Sequence, residues 1–163
     1  MSWKPTGRPR GRPPKNPKPP PSVAAATMTD EELERELLAR VHLRALAEAK
    51  DHLLPFVKLM FPDMARPSDP TATTYEDDQF HHDVAAELQW VEQTPGARLI
   101  IEAPPRHGKS ILSSFNFVPW IMGRDPTRQV IFSAYGAEFA EDFGRYWRDT
   151  MNGPMYQTIF PEA

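Results

Sequence analysis

Apolar residues recur at four-residue spacing from Leu33 through Leu37, Val41 and Ala45, with Leu38 and Leu46 widening the stripe. That period predicts a helix. Thr29 and Glu32 have the spacing of a capping box, and Asp30, Glu31 and Glu32 stand where a helix dipole favours acids. The helix should fade near Asp51. Residues 53–61 are dense in apolar side chains and should pack on the main body, while 62–76, with three prolines and several Ser/Thr, read as loop. Phe80, Val84, Leu88 and Val91, with Trp90 beside them, predict a second helix over about 77–92. After a turn at Pro95-Gly96, Leu99-Ile100-Ile101 is a short apolar run of the kind buried parallel strands show. Residues 109–122 read as helix with Pro119 as a kink, and Val130-Ile131-Phe132 is a second buried-strand candidate. Ala137 to Met151 reads as a helix with Phe139, Phe143 and Trp147 on one face, stopped by Asn152-Gly153-Pro154.

The expected order is helix, helix, strand, helix, strand, helix. The two strand candidates lie 31 residues apart with a helix between them, the length of one right-handed βαβ unit. The expected fold class is therefore α/β, a partial P-loop NTPase with preceding helices.

Charge changes the picture of the N-terminus. The net value of −3 hides a segregation. Residues 1–21 carry six basic groups and no acid, which leaves 13 basic against 22 acidic groups, a balance of −9, for the remainder. The same 21 residues hold 8 of the 19 prolines. Residues 1–28 are expected to be a disordered basic tail, with Pro19-Pro20-Pro21 as a stiff spacer, because little apolar surface offsets the entropy of ordering. A +6 tail on an acidic body points to a polyanion partner. The absence of cysteine excludes a disulfide scaffold, a Cys-ligated zinc site and a thiol nucleophile. No apolar run approaches the ~18 residues of a membrane span, and no apolar segment follows the basic N-terminus as in an export signal. A cytosolic, membrane-free protein is the expectation.

The most informative segment runs from Ala103 through Pro104, Pro105, Arg106, His107, Gly108 and Lys109 to Ser110, between the first strand candidate and the next helix. The last three positions match G-x-x-x-x-G-K-[ST], and Ala103 replaces the first glycine. In that pattern Gly108 lets the backbone approach phosphates, Lys109 supplies a cation for the β- and γ-phosphates, and Ser110 offers a hydroxyl to Mg²⁺. Arg106 adds a second cation. The plain alternative is a Gly-Lys-Ser turn opening an ordinary helix.

The stretch Leu99 to Ser110 resembles the variant Walker A segment of phage terminase large subunits, the ATPases that drive double-stranded DNA into procapsids. The likeness continues through Pro119-Trp120, Gly123 to Pro126, Gln129 to Arg145, Tyr156 and Ile159 to Pro161, and covers about residues 53–163. It implies ATP and Mg²⁺ as cofactors, with Gly108, Lys109, Ser110, Arg106 and His107 at the nucleotide and Arg106 assisting hydrolysis. Gln79 or His82 is the residue it offers for adenine, against a plain polar helix start. His81-His82-Asp83 as a metal site lacks an evident third ligand. The resemblance also implies a homo-oligomeric motor in a bacterial host cell, with the terminase small subunit and portal protein as partners. The family's Walker B strand, coupling motif and nuclease acids do not follow Val130-Ile131-Phe132. The chain is therefore expected to be the N-terminal portion of such a subunit, binding ATP weakly without turning it over.

The division expected is a tail at 1–28, a helix at 29–52 and the ATPase portion at 53–163. Within the tail, Pro9-Arg10-Gly11-Arg12-Pro13 resembles an AT-hook, a peptide that lies in the minor groove of A·T-rich DNA. Arg10 and Arg12 would enter the groove, Gly11 would allow close backbone approach, and Arg8 and Lys15 would add contacts to the duplex. A solubilising linker is the alternative. Two other functions fit the same features: a non-catalytic DNA-binding or regulatory protein with a vestigial P-loop, and another, helicase-like P-loop ATPase.

Overall fold

The computed structural model describes residues 29–163. Six α-helices follow in order: α1 Asp30–Asp51, α2 Leu53–Met60, α3 Gln79–Gln93, α4 Phe117–Arg124, α5 Ala137–Asn152 and α6 Pro154–Ile159. A π-helical turn, Ile111–Asn116, leads directly into α4, so helical backbone runs unbroken from Lys109 to Arg124.

α1 starts as its sequence implies. Thr29 accepts from the Glu32 backbone N–H, and Glu32 accepts from the Thr29 N–H. His52 breaks the helix in an extended conformation, and the chain turns into α2, whose Leu53 N–H is taken by Gln89 Oε1 of α3 at 3.0 Å. Leu53, Phe56, Val57, Leu112 and Trp120 have essentially no exposed surface and form the centre of the core. Tyr156 and Phe160 close it from α6 and the residue beyond, edge-on to Phe56 or tilted against it. A second aromatic cluster sits to one side, where Phe115, Phe132 and Phe139 all meet Phe143, which is 3% exposed.

The π-helical turn has local causes. Its wider winding sends the Phe117 N–H to Leu112 O, and Pro119 has no N–H to offer the turn before it. Two side chains supply donors to backbone carbonyls there: Asn116 Nδ2 donates to Ile111 O at 2.8 Å, and Trp147 Nε1 donates to Ser114 O at 2.8 Å.

The α/β expectation is overturned. Among the described residues there is no strand and no sheet; the sole β pairing is an isolated antiparallel bridge between Pro62 and Thr73 within the 62–76 loop. The two segments expected as buried strands are irregular, and no backbone hydrogen bond joins residues 98–103 to 129–135. Each buries one face only. Leu99, Ile101 and Val130 pack against the helices, but Ile100 is 84% exposed and Ile131 96% exposed. A buried parallel strand needs both faces covered and a hydrogen-bonded neighbour, and neither condition is met. The apolar runs were real, but helices cover one side of each alone. A further difference lies after α5: Gly153 ends that helix as expected, but Pro154 then occupies the first turn of α6, where its missing N–H costs nothing.

Gly123 marks the tightest approach in the core. A Cβ there would overlap the ring of Phe160, which is 3% exposed. Gly123→Ala should therefore lower stability by about 1–3 kcal/mol, although alanine is the better helix former. Gly144, in α5, has nothing near the position of a Cβ, so Gly144→Ala should raise stability by up to about 1 kcal/mol. Urea denaturation of the two variants checks both signs.

Candidate phosphate-binding loop

The loop before the 109–124 helix is built by two left-handed residues. Arg106 has φ 66° and Gly108 φ 72°. Glycine takes that conformation freely; a residue with a Cβ does so at a cost of about 1 kcal/mol or more. Alternating backbone of this kind turns successive N–H groups to one side. The helix then begins at Lys109 with its positive dipole end and unpaired N–H groups facing the loop.

Arg106, His107, Gly108, Lys109, Ser110 and Ile111 line one open hollow of about 250 Å³. The structure thus brings together the whole contiguous set expected at a nucleotide. Arg106, His107 and Ser110 are exposed, and Gly108 and Lys109 are half-buried. Lys109 Nζ lies 3.4 Å from Pro104 O, folded across the loop, and His107 Nδ1 donates to Pro105 O at 3.0 Å. Neither Arg106 nor Lys109 forms an ion pair among the described residues, so both charges face the hollow without a carboxylate to neutralise them. No acidic residue lines it. These residues fit an anion. They do not by themselves make a metal site: Ser110 is the sole hydroxyl of the set, and no three metal-ligating side chains cluster among the described residues. A Mg²⁺ ion at Ser110 would take its other ligands from phosphate and water.

A larger cleft of about 460 Å³ adjoins the hollow and shares Arg106, His107, Gly108 and Ile111 with it. Its other wall is Phe61, Thr74, Tyr75, Glu76, Asp78 and His81. His81 reaches it through the start of α3. Asp78 caps that helix, its carboxylate accepting from the His81 N–H, and His81 Nδ1 returns to within 2.7 Å of Asp78 Oδ1. The Asp78 backbone N–H donates to the same ring nitrogen at 3.1 Å, closing a capping box. Desolvation opposes ionisation of Asp78, but the hydrogen bonds from His81 outweigh it and hold the carboxyl below its ordinary range. His81 in turn stands against Gly108; a Cβ on Gly108 would come 2.7 Å from its Nε2. The glycine is thus required twice, for its φ and for this approach.

Gln79 is placed elsewhere. It is exposed, donates to Asp83 Oδ1 at 2.8 Å and lines neither cavity. His82 is engaged with Asp77, at 2.7 Å, and Asp77 also pairs with Lys58 of α2 at 2.8 Å. The Lys58 hydrogen bond is the main cause that holds Asp77 below the usual carboxylate range. His81 and His82 therefore serve two different aspartates and do not converge on a metal. Tyr75 and Asp78 are cleft residues that periodicity did not single out. The three-residue spacing of Asp78 and His81 was the available signal, since it is that of a helix cap. Arg8, Arg10, Gly11, Arg12 and Lys15 lie outside the described residues.

No family model, curated protein or solved structure matches this chain. Among the described residues no helix is long and apolar enough to cross a membrane.

Tyr75 gives this wall a pH signature. Its hydroxyl is buried without a hydrogen-bond partner, and burial, reinforced by Asp77 and Asp78, pushes its pKa up to about 12. A raised pKa stabilises the fold below the unfolded value of 10.0 and loses that contribution as pH rises towards 12. Tyr75→Phe should leave stability at pH 7 unchanged or slightly raised, because it removes an unsatisfied polar group. It should also flatten the loss of stability between pH 10 and 12. Denaturant midpoints measured across that range check both effects.

Proposed function

We propose that residues 106–110 bind the phosphates of ATP and that the chain acts as the nucleotide-binding part of a terminase-like, DNA-associated ATPase. The reading does not rest on an α/β sheet, which the described residues lack. It rests on one observation: two unneutralised cations, Arg106 and Lys109, share a hollow with a left-handed glycine at the start of a sixteen-residue helical run, 109–124. Backbone N–H groups, dipole and side-chain charge all favour an anion at that place. The adjoining cleft has the size to take a base and offers the flat rings of Phe61, Tyr75 and His81 beside the polar Thr74, Glu76 and Asp78.

In this reading Lys109 swings from Pro104 O to the bound phosphate. Arg106 approaches it from the other side, and Ser110 faces any metal that arrives with the nucleotide. The basic tail contributes a separate activity, contact with duplex DNA, in which Arg8, Arg10, Arg12 and Lys15 neutralise phosphates or enter a narrow minor groove around Gly11.

A second reading has support of its own. The hollow has no carboxylate to place a metal or a water, and Lys109 already has an acceptor within the loop. Both features suit a DNA-binding protein with a non-catalytic loop. Nucleotide dependence separates the two, because that protein binds DNA equally with and without ATP.

With purified 1–163, titration of a fluorescent ATP analogue should give saturable binding. Lys109→Ala should weaken it at least about tenfold, since a charge-assisted contact contributes ~1.5–3 kcal/mol. Gly108→Ala should abolish it through the loop geometry. No binding by the unaltered chain, or equal binding by Lys109→Ala, rejects the phosphate site.

Deletion of residues 1–21 should weaken binding to a short duplex and flatten its dependence on salt. Six tail cations in full contact would account for a log–log slope of about −5. A slope unchanged by the deletion removes the tail from the DNA interface.

A further inference from the structure

Helix α1 is fastened at one end only. Ala45, Leu46 and Ala49 pack on the core, whereas Leu33 is 58% exposed, Leu37 60% and Val41 43%. These residues belong to one ridge at four-residue spacing, which advances about 40° around the helix at each step. The ridge that meets the core at Ala49 therefore winds out into solvent by Leu33.

The charges along the exposed part are ordered. Asp30, Glu31, Glu32, Glu34 and Glu36 crowd the first two turns with Arg35 as the single base, and Arg40 and Arg44 follow. Asp30 and Arg44 lie on the line of the apolar ridge, one at each end of it. Glu36 and Arg40 lie along its edge, where they border a shallow hollow of about 100 Å³ together with Leu33 and Leu37. A hollow bounded by four residues of one helix is what a side chain of a second helix enters.

We propose that α1 pairs antiparallel with α1 of a second copy of this chain, about a two-fold axis at Leu37. That register sets Leu37 on its own counterpart, Leu33 on Val41, and Asp30 on Arg44. Along the edge it brings Glu36 of each copy towards Arg40 of the other. Every contact occurs twice, as an isologous interface requires. The parallel arrangement sets Asp30 on Asp30 and Arg44 on Arg44, so charge selects the antiparallel one, and the helix dipoles favour the same sense. The pairs that Arg40 and Arg44 make within their own helix, with Glu36 and Glu48, are exposed and cost little to exchange. The paired length is about four turns, and its area falls below the ~1,200 Å² of a stable interface. The dimer is therefore reversible and concentration-dependent.

The chain has no cysteine, so a single introduced thiol reports the interface. Full-length Leu37→Cys should form an intermolecular disulfide under mild oxidation. Leu43→Cys, 65% exposed on another side of α1, should form much less. In sedimentation over a series reaching about 100 μM, the unaltered chain should associate and Leu37→Asp should weaken association at least tenfold. Arg44→Asp should also weaken it, by placing Asp30 against an acid, and Asp30→Arg combined with Arg44→Asp should restore it. Circular dichroism of each variant separates loss of pairing from loss of the helix. A chain monomeric throughout the series, equal crosslinking at positions 37 and 43, or charge variants without effect overturns the proposal.

Discussion

The buried indole of Trp120 holds the structure together. It sits at the centre of the core with no exposed surface and donates Nε1–H to the carbonyl of Ala49, 3.0 Å away and 71 residues earlier. Ala49 belongs to the last turn of α1, where carbonyls have no partner of their own. The neighbouring Arg124 completes the same cap, reaching Lys50 O and Asp51 O while its guanidinium lies 4.7 Å over the Trp120 ring. A cation at a helix C-terminus is favoured by the dipole as well. One end of the 109–124 run is thereby locked to the α1–α2 corner. The hollow with Arg106 and Lys109 is carried at the other end of that run, so the lock also decides where the loop stands.

The loop owes its remaining geometry to α3. His81, held by the Asp78 cap, leaves room beside it for a residue without a side chain, and Gly108 occupies that place. Arg106 takes a left-handed conformation that a non-glycine residue adopts at a cost. The outcome is two cations in one hollow that no acid lines, with Glu76 and Asp78 across the adjoining cleft that Arg106 shares. Several other cations are paired or capping: Lys58 with Asp77, Arg128 with Glu92, Arg124 on the α1 carbonyls.

The positions of α1, α3, the 109–124 helix and α5 were legible in the sequence because their signals are local, whereas α2 and α6 were not foreseen as helices. The capping box at Thr29, the four-residue apolar spacing in α1 and α3, and Gly153 after α5 each act within a turn or two of chain. Residues 106–110 are contiguous, so their adjacency needs no tertiary contact. The strands were misread because an apolar triplet reports only that some of its side chains are buried. Leu99-Ile100-Ile101 and Val130-Ile131-Phe132 bury alternate residues against helices and expose Ile100 and Ile131. Pairing into a sheet depends on which other segment arrives alongside, and no local pattern encodes that.

By itself the sequence located α1, α3, the 109–124 helix and α5, and it fixed the segregation of charge along the chain and the adjacency of Arg106, His107, Gly108, Lys109 and Ser110. These follow from short-range sterics, dipoles and side-chain chemistry. The tertiary structure alone decided that the described body is helical, that His81 rather than Gln79 stands at the loop, and that the apolar ridge of α1 reaches the core only from Ala45 onwards. Each of these depends on contacts between residues far apart in the chain, such as Trp120 with Ala49 or Gly108 with His81. Whether an apolar or charged group is covered is a property of the packed whole, not of its neighbours in sequence.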